Sequence, residues 1–198
     1  MNNKLPWNHN FAYNKWIKKT IGDRRNILDV GCGNGYLSIY LRNDSNFVVG
    51  IDPSDSSIKT ANLQYNYDNI KFIQTTFEGF EISEKFDAVI FVASIHHMNM
   101  EDAIDKAKAL LNSNGILIIV GLAKPASVLD WFVELARIIP SGIISFLKKN
   151  RTSEEINIDV SYDLPTMNEV RRICENRLQE YKMSYGLHYR YLLTWKKH

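Results

Sequence analysis

The residues best suited to chemistry are a glycine-rich turn and a carboxylate that follows it. The segment from Asp29 to Gly35 reads Asp-Val-Gly-Cys-Gly-Asn-Gly, and Asp52 stands about 20 residues beyond its first glycine. Glycines let a chain turn sharply and bring backbone N–H groups close to a ligand, while a carboxylate accepts hydrogen bonds from both hydroxyls of a ribose. The pair indicates a site for a nucleoside-type cofactor. The alternative is that the glycines only form a tight turn and that Asp52 caps a helix.

The spacing of the glycines separates two kinds of cofactor. A dinucleotide site needs a glycine or an alanine at the sixth position of its fingerprint, so that a helix packs on the strand and pyrophosphate binds at its N-terminus. Tyr36 occupies that position and is expected to obstruct pyrophosphate binding. A nicotinamide-dependent oxidoreductase is therefore only a third hypothesis, after two that rest on the motifs described below.

Alternating strands and helices must position the turn and the carboxylate. Asn26–Val30 and Phe47–Ile51 read as short apolar strands, and Phe86–Val92 is apolar almost throughout, as in a strand buried on both faces. Short loops join these strands to helices, which predicts right-handed crossovers and ligands bound at the carboxyl ends of the strands. Further strands are predicted over residues 71–74, 116–120, 181–185 and 189–195, the last two as an antiparallel hairpin.

Helix boundaries follow from capping residues. A first helix is predicted over residues 10–20, a third starts at Ser54 or Asp55, and Asn99 begins a helix that residues 112–115 stop. Thr166 and Glu169 form a capping-box sequence that predicts a further helix start.

Four motifs in order carry a family resemblance. They are ILDVGCGNGYLS, VVGIDPS, FDAVIFVASIHHM and LLNSNGILIIVG. With them the sequence resembles the class I, Rossmann-like S-adenosylmethionine-dependent methyltransferases over nearly its whole length, and it looks closest to the methyltransferase type 11 group. The resemblance implies an α/β fold: a single domain over residues 1–198 with a seven-stranded, mostly parallel sheet, an antiparallel last strand and helices on both faces.

The same resemblance implies S-adenosylmethionine as cofactor and assigns its contacts. Asp29 and the backbone of the turn hold the methionyl portion, Asp52 the ribose, and Pro53 lies near the adenine. The implied cofactor positions are Asp29, Gly31, Cys32, Gly33, Gly35, Asp52, Pro53 and Ala93.

One departure from the family pattern follows the third strand. Such enzymes usually carry an aspartate there that accepts a hydrogen bond from the adenine amino group, whereas this chain has Thr75-Thr76-Phe77. The Thr76 hydroxyl is able to accept that bond and Phe77 to pack on the adenine face. The alternative is a turn threonine and a core phenylalanine.

Methyl transfer requires in-line alignment, exclusion of water and, for some acceptors, removal of a proton. His97 lies just past the fourth strand and is the preferred residue to orient or deprotonate the acceptor, while His96 is expected to satisfy backbone groups. His9 and Tyr13, in a segment that resembles the N-terminal cover of related proteins, rank second for substrate contact. The alternative for these two is an aromatic helix stripe packed on the sheet.

Two segments are predicted to cover the site. Residues 1–25 form an N-terminal cap segment, and residues 123–160 form a variable substrate-cap insertion with apolar positions at helical spacing. The insertion reads as a lid over an apolar acceptor, with peripheral membrane contact left open through the basic cluster of Lys148, Lys149 and Arg151. The alternative is an ordinary amphipathic helix packed on the sheet.

Composition and charge make several other kinds of protein less favoured. The chain has 198 residues, 45% hydrophobic, and a formal net charge of +2, which suits one core and makes nucleic acid a weak partner. Two cysteines do not make a disulfide framework or a four-ligand metal site, so no metal is expected. Without a membrane-spanning run or signal peptide, a cytoplasmic location is expected.

The sequence thus predicts a methyltransferase that acts on a small or lipid-like acceptor by direct methyl transfer. The alternative is a non-catalytic S-adenosylmethionine-binding module or the inactive partner of a heterodimer. The oligomeric state is left open.

Overall fold

A computed structural model describes residues 12–124, 164–186 and 190–198. Within them one mixed sheet has the strand order β3-β2-β1-β4-β5-β7-β6. Strands β1 to β5 run parallel, and β7 runs antiparallel to both β5 and β6. The predicted seven-stranded sheet with an antiparallel last strand is confirmed. The strands are β1 Asn26–Val30, β2 Phe47–Asp52, β3 Ile70–Gln74, β4 Phe86–Val92, β5 Leu111–Leu122, β6 Lys182–Tyr185 and β7 Arg190–Lys196.

Helices cover both faces of this sheet, as predicted. Successive residues of a strand point to opposite faces, so Leu28 packs in the cluster with α4 and α5, whereas Ile27 packs in the cluster with α1, α2 and α3. Both side chains are fully buried. The helices are α1 Asn14–Ile21, α2 Tyr36–Leu41, α3 Asp55–Gln64, α4 Met100–Leu110 and α5 Met167–Arg177.

Side-chain caps fix three helix starts where the sequence placed them. The Ser54 hydroxyl accepts a hydrogen bond from the Ser57 N–H at 3.3 Å and begins α3. Asn99 caps α4 through its side-chain oxygen, and Thr166 begins α5 in a reciprocal capping box with Glu169. Each cap satisfies backbone N–H groups that have no partner inside the helix.

The fifth strand is longer than predicted. Residues 112–115 were expected to stop the preceding helix, but α4 already ends at Leu110 and these residues form an irregular start of β5. Neighbouring strands hold them: Asn112 Nδ2 donates to Asp87 Oδ1 at 2.8 Å, and the Asn114 N–H donates to the Lys197 carbonyl at 2.9 Å. Both partners are distant in sequence, so turn-forming composition alone gave the wrong boundary.

The predicted insertion lies almost wholly outside the described residues, and the predicted N-terminal segment lies outside them in part. The N-terminal segment is described from Ala12 onward, and the insertion predicted over 123–160 is described only at Ala123 and Lys124. His9 also lies outside the described part. Among the described helices, none is both long and apolar enough to cross a membrane.

A close approach between Gly121 and Tyr191 carries a stability prediction. The two residues face each other in the β5–β7 ladder, Tyr191 is fully buried, and a Cβ on Gly121 would overlap the Tyr191 ring. A buried ring has no free space to move into, so we expect Gly121→Ala to lower the free energy of unfolding by about 2–3 kcal/mol, measured by urea denaturation.

A double variant tests the cause of that loss. In a Tyr191→Ala background the ring is gone, so the cost of Gly121→Ala should fall well below its cost in the wild type. An equal cost in both backgrounds would show that the ring contact is not responsible.

Candidate functional site

A cavity of about 420 Å³ lies at the edge of the sheet where β1, β2, β3 and β4 end. Its volume falls within the range of small-molecule sites. Seven predicted site residues line it: Gly31, Asp52, Pro53, Thr76, Phe77, Ala93 and His97. Sequence motifs from four separate strand ends therefore meet around one space.

The turn after β1 is fastened to the neighbouring strands. The N–H groups of Gly31 and Cys32 both donate to the Ile51 carbonyl, at 2.8 and 3.0 Å. The Ser94 hydroxyl, from the turn after β4, donates to the Val30 carbonyl at 2.6 Å. Gly31 has φ +76°, and a Cβ there would lie 2.5 Å from the Ser94 Cβ, so both backbone angle and space require glycine.

The carboxylate of Asp52 joins the glycine turn to the start of α3. One oxygen accepts from the Gly33 N–H and the other from the Ser54 N–H, each at 2.9 Å. A carboxylate oxygen has two lone pairs, so each keeps capacity for a second donor. Asp52 is half-buried in the cavity wall, where it is able to receive two neighbouring hydroxyls.

The loop after β3 contains the turn threonine and the core phenylalanine of the alternative interpretation, although both residues also line the cavity. Thr76 Oγ1 already accepts from the Gly79 N–H at 3.1 Å, and Phe77 is 3% exposed with its ring edge-on to Phe91 at 5.2 Å. The same tight turn brings Glu78 into the cavity lining. Sequence reasoning missed Glu78, although the Thr-x-x-Gly pattern of a side-chain-stabilised turn is visible there.

Asp29, the fourth residue of β1, lies outside the cavity lining, as do Cys32, Gly33 and Gly35 of the turn that follows. The Ser38 hydroxyl of α2 donates to Asp29 Oδ2 at 2.6 Å. Burial raises the pKa of the Asp29 carboxyl to about 6, the Ser38 bond lowers it in part, and the nearby Asp52 raises it further. Burial likewise raises the pKa of the Cys32 thiol, so it stays protonated at neutral pH.

The pKa of Asp29 predicts a pH-dependent stability. Folded Asp29 holds its proton up to a pKa of about 6, whereas the unfolded residue loses it near 3.8, so the wild type loses stability as pH rises through this window. Asn does not titrate. We therefore expect the unfolding free energy of Asp29→Asn, relative to that of the wild type, to rise by about 2–3 kcal/mol between pH 4 and pH 7.

Asp87→Asn is the matched control for this titration. Burial alone would raise the pKa of Asp87, but hydrogen bonds from Asn26, Asn112 and Arg25 outweigh it and lower that pKa. The pH-dependent change in unfolding free energy that Asp87 contributes should therefore have the opposite sign, and it should occur below pH 4. A difference for Asp29→Asn that stays flat with pH in denaturation curves would contradict the assigned pKa.

Two histidines form a short turn after β4. His97 is exposed and lines the cavity, whereas His96 is half-buried with its ring 4.1 Å from the His97 ring. Burial, together with His97 and Arg190, lowers the pKa of His96 to about 4. His96 is therefore neutral at pH 7, and the preferred residue, His97, is the one that faces the cavity.

Tyr13 does not line the cavity. It is 7% exposed and packs in the cluster with α1, near Gly186 and Arg190 of the terminal hairpin. Among the described residues, no group of three or more histidine, cysteine or acidic side chains is placed to hold a metal ion.

A family model described as a methyltransferase domain matches residues 21–176, most of the chain. The chain belongs to this methyltransferase family. That finding confirms the class I, Rossmann-like methyltransferase predicted from the four motifs.

Curated relatives of this methyltransferase family member are similar over part of their length. A ubiquinone biosynthesis O-methyltransferase of Rickettsia typhi is 38% identical over 96 residues, 47% of this chain and 39% of that protein. A malonyl-[acyl-carrier protein] O-methyltransferase of Acetivibrio thermocellus is 34% identical over 97 residues, 48% of this chain and 34% of that protein. The chain thus spans less than half the length of these two relatives.

Solved structures of other methyltransferases share the fold. The plantazolicin methyltransferase BpumL in complex with SAH is similar with a TM-score of 0.69 and 17% identity, covering 95% of this chain and 83% of that one. The N-methyltransferase NodS from Bradyrhizobium japonicum WM9 has a TM-score of 0.61 and 14% identity, covering 94% of this chain and 97% of that one. At these identities the likeness supports the fold.

Proposed function

We propose that the protein is an S-adenosylmethionine-dependent methyltransferase that transfers a methyl group directly to a small or lipid-like acceptor. The observation that carries the proposal is that the Gly31 turn, the Asp52 carboxylate and His97 line a single cavity. Membership of the methyltransferase family supports the same reading.

The described residues fit the cofactor. Asp52 keeps two acceptor positions for the ribose hydroxyls, and Pro53 and Phe77 line the same cavity for the adenine. The backbone from Gly31 to Gly35 suits the methionyl end, with Gly31 in the cavity lining and Asp29 two residues before it. The adenine amino group requires an acceptor, for which Thr76 and Glu78 are the described candidates. When bound, S-adenosylmethionine supplies a methyl group on a positively charged sulfur.

The protein has to hold the acceptor in line and keep water out. His97 is placed to accept the acceptor's proton or to orient its reacting atom by a hydrogen bond. The insertion over 123–160 and the N-terminal cap segment are the proposed covers over this site. Single-domain organisation and a cytoplasmic location stay predictions of the sequence.

An oxygen atom is the favoured acceptor. The two curated relatives described above are both named O-methyltransferases, one of ubiquinone biosynthesis and one of malonyl-[acyl-carrier protein]. A hydroxyl needs a proton removed in the course of transfer, which a histidine at the cavity is able to assist.

Calorimetric titration and a labelled transfer assay test the proposal together. S-adenosylmethionine and S-adenosylhomocysteine should both bind with at least micromolar affinity. With methyl-labelled S-adenosylmethionine, a panel of hydroxylated and lipid-like acceptors should yield a labelled product and one S-adenosylhomocysteine per methyl. Absence of binding would refute the cofactor assignment, and binding without transfer across the panel would favour a non-catalytic module.

A further inference from the structure

The turn after β3 adjoins the carboxylate proposed for the ribose. Strand β3 ends at Gln74, which pairs with Asp52 at the end of β2, and the Thr75 N–H donates to the Asp52 carbonyl at 3.1 Å. The glycine turn after β1 reaches Asp52 from the other side. In S-adenosylmethionine the ribose stands between the methionyl portion and the adenine. A methionyl portion at the glycine turn therefore leaves the adenine facing the turn after β3.

Glu78 supplies a carboxylate to this part of the cavity. Among the described lining residues, Asp52 and Glu78 are the two that carry carboxylates. The two oxygens of Asp52 each accept one backbone N–H, whereas none of the described residues forms a hydrogen bond or an ion pair with the exposed Glu78 carboxylate. An ionised carboxylate only accepts hydrogen bonds, and bonds to a charged acceptor are the stronger ones.

The two threonine hydroxyls of the same turn already serve its backbone. Thr76 Oγ1 accepts from the Gly79 N–H at 3.1 Å, and Thr75 Oγ1 donates to the Thr76 carbonyl at 3.1 Å. Neither hydroxyl carries a charge. Of the two acceptors available for the adenine amino group, Glu78 is therefore better suited than Thr76.

Lys106 of α4 fastens this turn from outside the cavity. Its Nζ donates to the Glu78 carbonyl at 2.8 Å and lies 5.5 Å from the centre of the Phe77 ring, and the lysine is half-buried. A lysine ammonium is attracted to the face of an aromatic ring, so one side chain holds two successive residues. The Glu78 side chain consequently starts from a fixed point at the cavity wall.

We infer that Glu78 accepts a hydrogen bond from the exocyclic amino group of adenine and that Lys106 is the positioning residue that holds Glu78 at the cavity. The inference rests on the proposed function and adds the residue that distinguishes adenine from other bases. An amino group donates to a carboxylate. A carbonyl oxygen at the same ring position, as in hypoxanthine, does not, and it is repelled.

Two cofactor products that differ at this ring position test the inference. S-inosylhomocysteine carries a carbonyl oxygen where S-adenosylhomocysteine carries the amino group, with a proton on the adjacent ring nitrogen. In calorimetric titration the wild type should bind S-adenosylhomocysteine at least about tenfold more tightly, and a smaller preference overturns the inference. Failure to bind S-adenosylhomocysteine at all counts instead against the proposed function.

Variants of Glu78 assign the preference to its carboxylate. Glu78→Ala should reduce the preference to less than about threefold, and Glu78→Gln should bind the two ligands about equally, because an amide carries both a donor and an acceptor. Glu81→Ala is the matched control, since Glu81 is exposed three residues later and lies outside the cavity lining. A tenfold preference that persists in Glu78→Ala overturns the assignment.

Variants of Lys106 test the positioning role. Lys106→Met removes the donor to the Glu78 carbonyl and should lower the preference for S-adenosylhomocysteine, whereas Lys106→Arg keeps a donor and should retain most of it. Lys85→Met is the matched control, because Lys85 Nζ also donates to a backbone carbonyl, that of Ala109 at 2.7 Å, and Lys85 does not line the cavity. A general loss of stability weakens both ligands alike, so an unchanged preference in Lys106→Met refutes the positioning role.

Discussion

Replacing Asp52 by alanine should weaken the binding of S-adenosylmethionine by about a hundredfold or more. Each hydrogen bond to a charged group contributes about 1.5–3 kcal/mol, and 1.4 kcal/mol corresponds to a factor of ten in affinity. The half-buried carboxylate is placed to accept two ribose hydroxyls, so both bonds are lost together. Calorimetric titration of wild type and variant measures the effect directly.

Asp52 also orders the loop, and two variants separate that role from ligand binding. Its oxygens accept from Gly33 and Ser54 N–H groups, so Asp52→Asn, which keeps one carbonyl oxygen, should bind the cofactor with intermediate affinity. Asp55→Ala removes a carboxylate three residues away that pairs with exposed Lys59 at 2.7 Å, and it should leave affinity unchanged. If Asp52→Ala binds S-adenosylmethionine as tightly as the wild type does, the ribose does not bind at Asp52.

Replacing His97 by alanine should lower kcat about a hundredfold, with the affinity for S-adenosylhomocysteine within a factor of two of the wild type. A positioned general base typically contributes a factor of about 10² or more. His97 lines the cavity from an exposed turn, so its removal leaves the buried core intact. Steady-state kinetics with an acceptor from the labelled-methyl screen provide the measurement.

Two further substitutions distinguish proton transfer from orientation. His97→Gln keeps a hydrogen-bonding group but accepts no proton at neutral pH, so it should stay as slow as the alanine variant if His97 is a base and recover if it only orients the acceptor. His198→Ala removes an exposed histidine at the far end of β7 and should leave kcat unchanged. Unchanged kcat in His97→Ala would assign the proton to another group.

Local signals predicted most of the fold. The bounds of β1 and β4 agree with the sequence because their apolar runs are buried on both faces and end at turn residues. The helix starts at Ser54, Asn99 and Thr166 agree because a cap is a contact between residues three apart or fewer.

What the sequence missed depends on contacts between distant residues. The start of β5 is held by Asp87 and Lys197, and Arg190 lies beside Leu122 at the end of β5 only because β7 pairs with β5 in a particular register. Glu78 lies in the cavity lining because of the shape of the turn after β3. Strand pairing and register are set by tertiary packing, so composition and periodicity do not reveal them.

The placement of β7 inside the sheet, between β5 and β6, constrains how the protein is made. The backbone groups of β5 that face β7 stay unpaired until β7 has been synthesised; Leu122, for example, pairs with Arg190, about 70 residues later in the chain. Until then a long apolar strand presents an open edge to the ribosome exit and to other nascent chains, which is a template for aggregation. Synthesis that pauses before β7 should therefore make the nascent chain dependent on chaperones, and yield should respond to expression temperature more than to cofactor supply.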